Sequence, residues 1–314
     1  MTTIHQAVIP VITGPTASGK TGLASALAGL GYPVEVVSAD SRQVYKRMNI
    51  GTAKPTPAER SAVQHHLVDI LGPTETYSAG RFHEDAEEVI SGILDRGALP
   101  MVVGGTGLYI RALTEGLSAI PHVPTKIREQ LLHEHDERGL PALHEELTRV
   151  DPTAAQGIRA GDSQRILRAL SVFRATGRKL SDWWSEPAQP VRYRFAWLGI
   201  SWPRPVLRER IALRVQQMIE DGLRDEVNSL VSSGIGWETN AMHTVGYREW
   251  RTHFERTDSI ADVIDHITIH TAQFAKRQMT WFRAVPGITW LPGDSPDLVS
   301  DSATWLDRVV SGDT

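Results

Sequence analysis

The chain has 314 residues, 41% of them hydrophobic and 22% charged, a globular composition with enough material for one large core and a second module. A net charge of −4 excludes a global basic field, so nucleic acid would have to be held by a local patch; the absence of cysteine excludes disulfides, thiolate metal sites and thiol chemistry. No apolar run reaches membrane-spanning length and the first ten residues lack a leader pattern, so the expectation is a soluble, cytoplasmic protein.

Residues 7–13 read as a buried strand. Directly after it, Gly14, Pro15, Thr16, Ala17, Ser18, Gly19, Lys20 and Thr21 complete the phosphate-loop pattern G-x-x-x-x-G-K-[ST], and a helix follows over 23–30. Strand, glycine turn and helix wrap backbone N–H groups and a positive helix end around one anion, with Lys20 as a point charge and Thr21 as a Mg²⁺ ligand. The motif leaves open which phosphate compound is bound and whether phosphate is transferred.

Farther on, a strand over 34–38 runs into Ser38, Ala39, Asp40, Ser41, Arg42 and Gln43; a helix covers 79–96; and a strand over 100–103 ends in Gly104, Gly105, Thr106 and Gly107. This alternation predicts a parallel sheet with crossover helices and a site at the carboxyl ends of its strands. Residues 121–190 lose the strand pattern and read as an inserted helical module, splitting an α/β core into 1–120 and 191–314. A strand over 194–200 returns to the sheet. The next span, 205–231, carries Leu207, Ile211, Val215, Met218 and Leu230 at helical spacing, and 260–282 carries a stripe of Ile264, Ile267, Phe274 and Trp281. A short strand over 288–291 and a polar tail close the chain.

Asp40 stands where the second strand delivers a carboxylate beside the phosphate loop, and position alone leaves general base, metal ligand and helix cap open. Arg210 and Arg214 lie one helical turn apart, so both can meet one polyanion. The run 276–283 mixes cations with aromatics, which suits phosphate and base contact as well as an ordinary amphipathic helix end. The histidine pairs at 65/66, 133/135 and 266/270 lack an H-E-x-x-H arrangement and read as structural or surface residues. No nucleophile elbow and no protein-kinase signature is present.

The ordered set of motifs resembles the bacterial tRNA dimethylallyltransferases. Its carriers are residues 14–21, 38–46, 51–55, 65–69, 103–109 and 164–170, then Ala275, Lys276, Arg277 and Gln278 followed by Thr280, Trp281, Phe282 and Arg283. The chain departs from the family pattern at Ala272, Arg248, Arg47 and Asn49. The resemblance implies an α/β, P-loop NTPase-like parallel sheet flanked by helices, with an inserted all-helical tRNA-binding domain. It also implies transfer of a dimethylallyl group from dimethylallyl diphosphate to N6 of the adenine 3′-adjacent to the anticodon of tRNA. Lys20, Arg214 and Mg²⁺ on Thr21 would then stabilise the departing diphosphate, and Asp40 would take the proton. The tRNA would meet Asp40, Ser41, Arg42, Gln43 and Thr106, with Arg128, Gln164, Arg165, Ile166, Leu167 and Arg168 on the module. ATP would occupy the loop as a competitor, and the enzyme would act as a monomer without an obligate protein partner. Rival readings are an adenylate isopentenyltransferase, a small-molecule kinase sharing the loop, and a nucleotide-gated RNA-binding switch.

Overall fold

The computed structural model describes residues 7–255 and 258–312. Six parallel strands form one sheet: β1 (Val8–Thr13), β2 (Val34–Ala39), β3 (His65–His66), β4 (Leu99–Gly104), β5 (Arg194–Ser201) and β6 (Ile288–Pro292), in the order β3-β2-β4-β1-β5-β6. The central strands β1, β2 and β4 are buried on both faces, as a parallel sheet covered by crossover helices requires. Alternation sorts their side chains. Ile9, Val11, Val37, Ala39 and Val102 enter one cluster, while Ile12, Val34, Val36, Met101 and Val103 enter the other.

Helix Lys20–Gly29 and the C-terminal helix Leu298–Ser311 supply the second cluster through Leu23, Leu27 and Leu306. The first cluster is closed by Phe82, Ile90 and Ile93 of helix Ala79–Asp95, Ile211 and Val215 of helix Arg204–Glu220, and Ile267 and Phe282 of helix Ile260–Arg283. Ile90 is fully buried, so truncating it to alanine costs about 2–5 kcal/mol.

The connection after β1 leads to β2 on one side of the sheet, and the chain after β4 returns at β5 on the other. β1 and β4 are neighbours, so the crevice beyond their carboxyl ends is the topological switch point where such sheets bind ligands.

Several local expectations are corrected. The helical span at 205–231 is two helices, Arg204–Glu220 and Leu223–Ser232, because Gly222 turns left-handed (φ 95°) between them. The polar tail is a helix whose apolar stripe, ending in Leu306 and Val309, faces inward. The stripe of helix Ile260–Arg283 runs through Val263, Ile267, Ala275, Gln278 and Phe282, which leaves Phe274 38% exposed. Helix Pro57–Ala62 and the two-residue β3 are too short to leave a periodic signal.

A second compact unit spans Glu115–Pro190, against 121–190 from the sequence. It is all helical: Thr125–Val150, interrupted where Gly139 leaves helical geometry (φ 76°, ψ 160°), then Pro152–Gly157, Ser163–Thr176 and Leu180–Trp184. Its own core gathers Leu131, Leu143, Leu147, Ile166 and Leu170. Asp151 staples three of its segments, its carboxylate accepting from Ala154 N–H and from the N–H and hydroxyl of Ser181.

Candidate active site

The loop after β1 is shaped by its glycines. Gly14 sits at φ 147°, and a Cβ there would come within 2.7 Å of Ile200 O; Gly19 is left-handed (φ 95°) and starts helix Lys20–Gly29. That helix has no side-chain cap and no acidic residue in its first turn, and its first backbone bond is Leu23 N–H to Gly19 O. Its leading N–H groups and positive end therefore face the crevice unanswered by the chain, an anion-binding arrangement. Ser18 points the same way chemically: its Oγ is buried and has no hydrogen-bond partner.

Three side chains brace the loop. Trp202, just past β5, donates Nε1–H to Ser18 O at 3.1 Å. Arg210 donates Nε–H to Ala17 O at 3.0 Å with its guanidinium 4.1 Å over the Trp202 ring. Buried Gln278 accepts from Thr16 N–H and donates to Gly105 O. Helical spacing assigns Arg210 only a ligand-facing role, and no local signal marks Trp202.

The crevice is a cleft of about 510 Å³ walled by the loop, Asp40, Gln43, Lys54, Glu59, Gly105, Arg210, Arg214, Leu213, Phe274 and Gln278. Lys20 Nζ rests on Gly14 O and Pro15 O, at 3.0 and 2.8 Å. Burial and then the nearby Arg214 charge push Lys20 down to about 8, against the pull of Asp40. Arg214 is lowered too, first by burial; Asp40 and Glu59 oppose the shift and Arg210 adds to it. Three cations crowded at one end of a cleft are an electrostatic demand for a multivalent anion.

Asp40 lines the same cleft, directly after β2. Its Oδ1 accepts from Arg42 N–H at 2.8 Å and Gln43 N–H at 3.2 Å, which fixes the carboxylate while Oδ2 takes neither bond. This turn also removes the helix-cap reading, since no helix begins there. Thr106 Oγ1 accepts from Ser41 N–H at 3.0 Å, tying the β4 loop to the same turn. Arg42 is engaged with Asn240 O at 2.6 Å. Gln43 bridges Ser38 and the carbonyls of Thr52 and Ala53.

The loop at 49–54 is held by groups the sequence did not mark. Glu226 accepts from the N–H groups of Asn49, Ile50 and Gly51 and from Tyr247 Oη–H, and Lys54 is buried on Tyr45 O, Asn49 and Asp69. A carboxylate placed on three backbone donors is a strong local clamp.

In the second unit, Gln164, Arg165 and Arg168 are exposed on helix Ser163–Thr176 and Arg128 is exposed on helix Thr125–Val150, whereas Ile166 is fully buried in the unit's core with Leu167 packed against it. The Ile166 site is corrected, since its side chain builds the helix's inner face, while Leu167 is half-buried beside it. Burial and the charge of Arg128 both lower Arg168, and the two arginines form no ion pair among the described residues.

A family model described as IPP transferase matches residues 43–285, and a second, described as isopentenyl transferase, matches residues 7–70. The tRNA dimethylallyltransferase of Roseiflexus castenholzii is 45% identical over 92% of this chain and 94% of its own length. The chain belongs to the tRNA dimethylallyltransferase family. Among solved structures, a tRNA isopentenylpyrophosphate transferase from Bacillus halodurans is 33% identical over 98% of both chains, with a TM-score of 0.73. A eukaryotic dimethylallyltransferase acting on tRNA superposes with a TM-score of 0.81 over 98% of this chain and 79% of its own, at 26% identity. The tRNA dimethylallyltransferases are prenyltransferases, so the kinase and switch readings fall away, and the parallel sheet with its P-loop is the fold that the solved members share.

Proposed function

We propose that this prenyltransferase moves the dimethylallyl group from dimethylallyl diphosphate to N6 of the adenine directly 3′ of the anticodon of tRNA, releasing diphosphate. One relationship carries the reading: a fixed carboxylate, Asp40, faces a cation-lined anion cradle across a single cleft. Attack by an exocyclic amine on a diphosphate ester needs both groups; a kinase could use both as well, and it is membership of the dimethylallyltransferase family that favours prenyl over phosphoryl transfer.

The phosphate loop would hold a leaving group. As the C1–O bond of the donor breaks, negative charge grows on the diphosphate, and Lys20, Arg210 and Arg214, which line the cleft, together with the N–H groups at the start of helix Lys20–Gly29, would stabilise it. Among the described residues no cluster of three or more His, Asp or Glu could cage a metal. Mg²⁺ needs no such cage, because it keeps waters and takes phosphate oxygens plus one or two protein oxygens, which suits the Thr21 hydroxyl. Bound there, Mg²⁺ would supply further charge neutralisation on the leaving group.

Asp40 would accept a hydrogen bond from N6 and then its proton, with Oδ1 pinned so that the reacting oxygen keeps its aim. The adenine reaches this depth only when flipped out of the anticodon loop. Ser41, Arg42, Gln43 and Thr106 would line its entry. Arg128, Gln164, Arg165 and Arg168 would bind RNA phosphate and bases, since Arg168 is lowered by burial and by the neighbouring Arg128 charge with no ion-pair partner among the described residues, a pairing that calls for an anion. No helix of the described residues is long and apolar enough to cross a membrane. A tRNA substrate puts the enzyme in the cytoplasm, and because one chain supplies every group of the cleft, a monomer suffices. ATP fits the same cradle as a competitor, through its phosphates alone.

The test is Asp40→Asn. Transfer should slow by a factor on the order of 10² to 10⁴ while tRNA affinity changes little, and near-normal turnover would remove Asp40 from the role of base.

A further inference from the structure

β3 brings His65 to the rear of the same strand ends. Its Nδ1 lies 2.8 Å from Val63 O, which places the N–H on Nδ1 and leaves a lone pair on Nε2. That Nε2 is buried and has no hydrogen-bond partner. His65 also forms part of the wall of a second, small cavity of about 40 Å³, shared with Asp40, Lys20, Thr21, Ser38 and Gln43. A cavity of roughly 10–15 Å³ already holds a water if two or more polar groups line it. This one is large enough and polar, and it joins an orphaned base to the carboxylate. Of the other polar side chains in the lining, Thr21, Ser38 and Gln43 are not bases and Lys20 is itself a cation, so His65 is the group besides Asp40 that can take up a proton.

We infer that His65 receives, through one water in this cavity, the proton that Asp40 removes from N6 of the adenine. The inference rests on the reading of Asp40 given above. When the C1–N6 bond forms and the C1–O bond breaks, the N6 proton passes to Asp40. The Asp40 carboxyl then donates to the water, the water gives its own proton to Nε2, and the resulting imidazolium loses that proton to solvent. No other reactant is needed, and Asp40 returns to its charged form for the next turnover. The groups facing His65 are Glu59 and Arg60 of helix Pro57–Ala62, its neighbour His66, and Asp40 and Lys20 across the cavity. Burial is the largest influence and holds the imidazole below its ordinary value, so the ring is neutral and ready to accept at neutral pH.

His65 acts through Asp40 and is a positioning and relay residue, so its test must separate relay from packing. Single-turnover transfer is measured with the full-length protein across a pH series for the wild type, His65→Gln, His65→Phe and Asp40→Asn. Glutamine can still hold the water but cannot carry the proton; phenylalanine keeps the ring volume. Both His65 variants should be slower by about tenfold at mildly alkaline pH, less than the roughly 10² to 10⁴ of a group acting on the substrate itself because Asp40 still takes the proton, with unchanged affinity for dimethylallyl diphosphate and for tRNA. The ratio of wild-type to variant rate should fall towards one as pH drops below the imidazole range, where His65 is already protonated and the relay is lost in the wild type too. A ratio that stays flat with pH, or a loss confined to binding, would overturn the relay and leave His65 a packing residue. If the Asp40→Asn rate stays near normal, the reading of the base fails instead, and the two failures are told apart.

Discussion

Gln278 and Thr16, 262 positions apart, are joined by a 2.8 Å hydrogen bond from the Thr16 N–H to Oε1, and the same amide donates Nε2–H to Gly105 O at 2.9 Å. A single side chain thus sets the width of the switch-point crevice by spanning the loops after β1 and β4. Gln278→Leu keeps the volume but leaves a buried donor and acceptor unpaired, at a cost of about 1–3 kcal/mol. The KM for dimethylallyl diphosphate should rise by about tenfold or more, while the tRNA affinity holds. Gly105→Ala should reproduce the effect, because a Cβ there would come within 2.2 Å of Gln278 Nε2. Steady-state kinetics on both variants checks this, and an unchanged KM in each would show that the loop holds its shape alone.

Ser18 carries a buried hydroxyl with no hydrogen-bond partner. Removing it by Ser18→Ala lifts a desolvation cost, so the free protein should gain about 1 kcal/mol in thermal or denaturant unfolding. Diphosphate affinity should move the other way, since the hydroxyl is placed to bond a phosphate oxygen. A loss of both stability and affinity would mean that the hydroxyl has a protein partner.

Lys20 gives the cleft a pH dependence whose sign is fixed. Its ammonium, pushed down to about 8 by burial and by Arg214, is charged below that pH and neutral above it. Diphosphate affinity should weaken as pH rises through about 8, and binding there should take up protons, because the anion favours the charged form. Calorimetry in buffers of different ionisation heat reads the uptake directly. Lys20→Met should bind weakly at every pH and take up none.

The chemistry-bearing half of the site was legible because it lies on short, contiguous signals. The phosphate loop announces itself by glycine spacing, and Asp40 by following an apolar strand into a polar turn. The supports were not legible. Trp202, Glu226 and Gln278 act across more than 150 positions of chain, and Tyr247 acts through Glu226, so their roles depend on tertiary neighbours that no local period encodes. Gln278 illustrates the limit: its run reads as a basic–aromatic contact surface, yet the buried stripe of its helix includes it and turns its amide inward. Ile166 shows the converse, since a motif quoted whole mixes residues of both helix faces. β3 and helix Pro57–Ala62 escaped because two and six residues are below the length at which hydrophobic periodicity can be seen.

The most direct measurement follows two labels through one reaction. Purified protein with Mg²⁺ and an unmodified tRNA bearing adenine 3′ of its anticodon is incubated in parallel with dimethylallyl diphosphate labelled in the five-carbon group and with γ-labelled ATP. Carbon label should appear on N6 of that adenine with release of one diphosphate per transfer, and ATP should slow the reaction without leaving its phosphate on any product. Phosphate label in a product with no carbon transfer would contradict the account, and so would transfer to free AMP as fast as to tRNA.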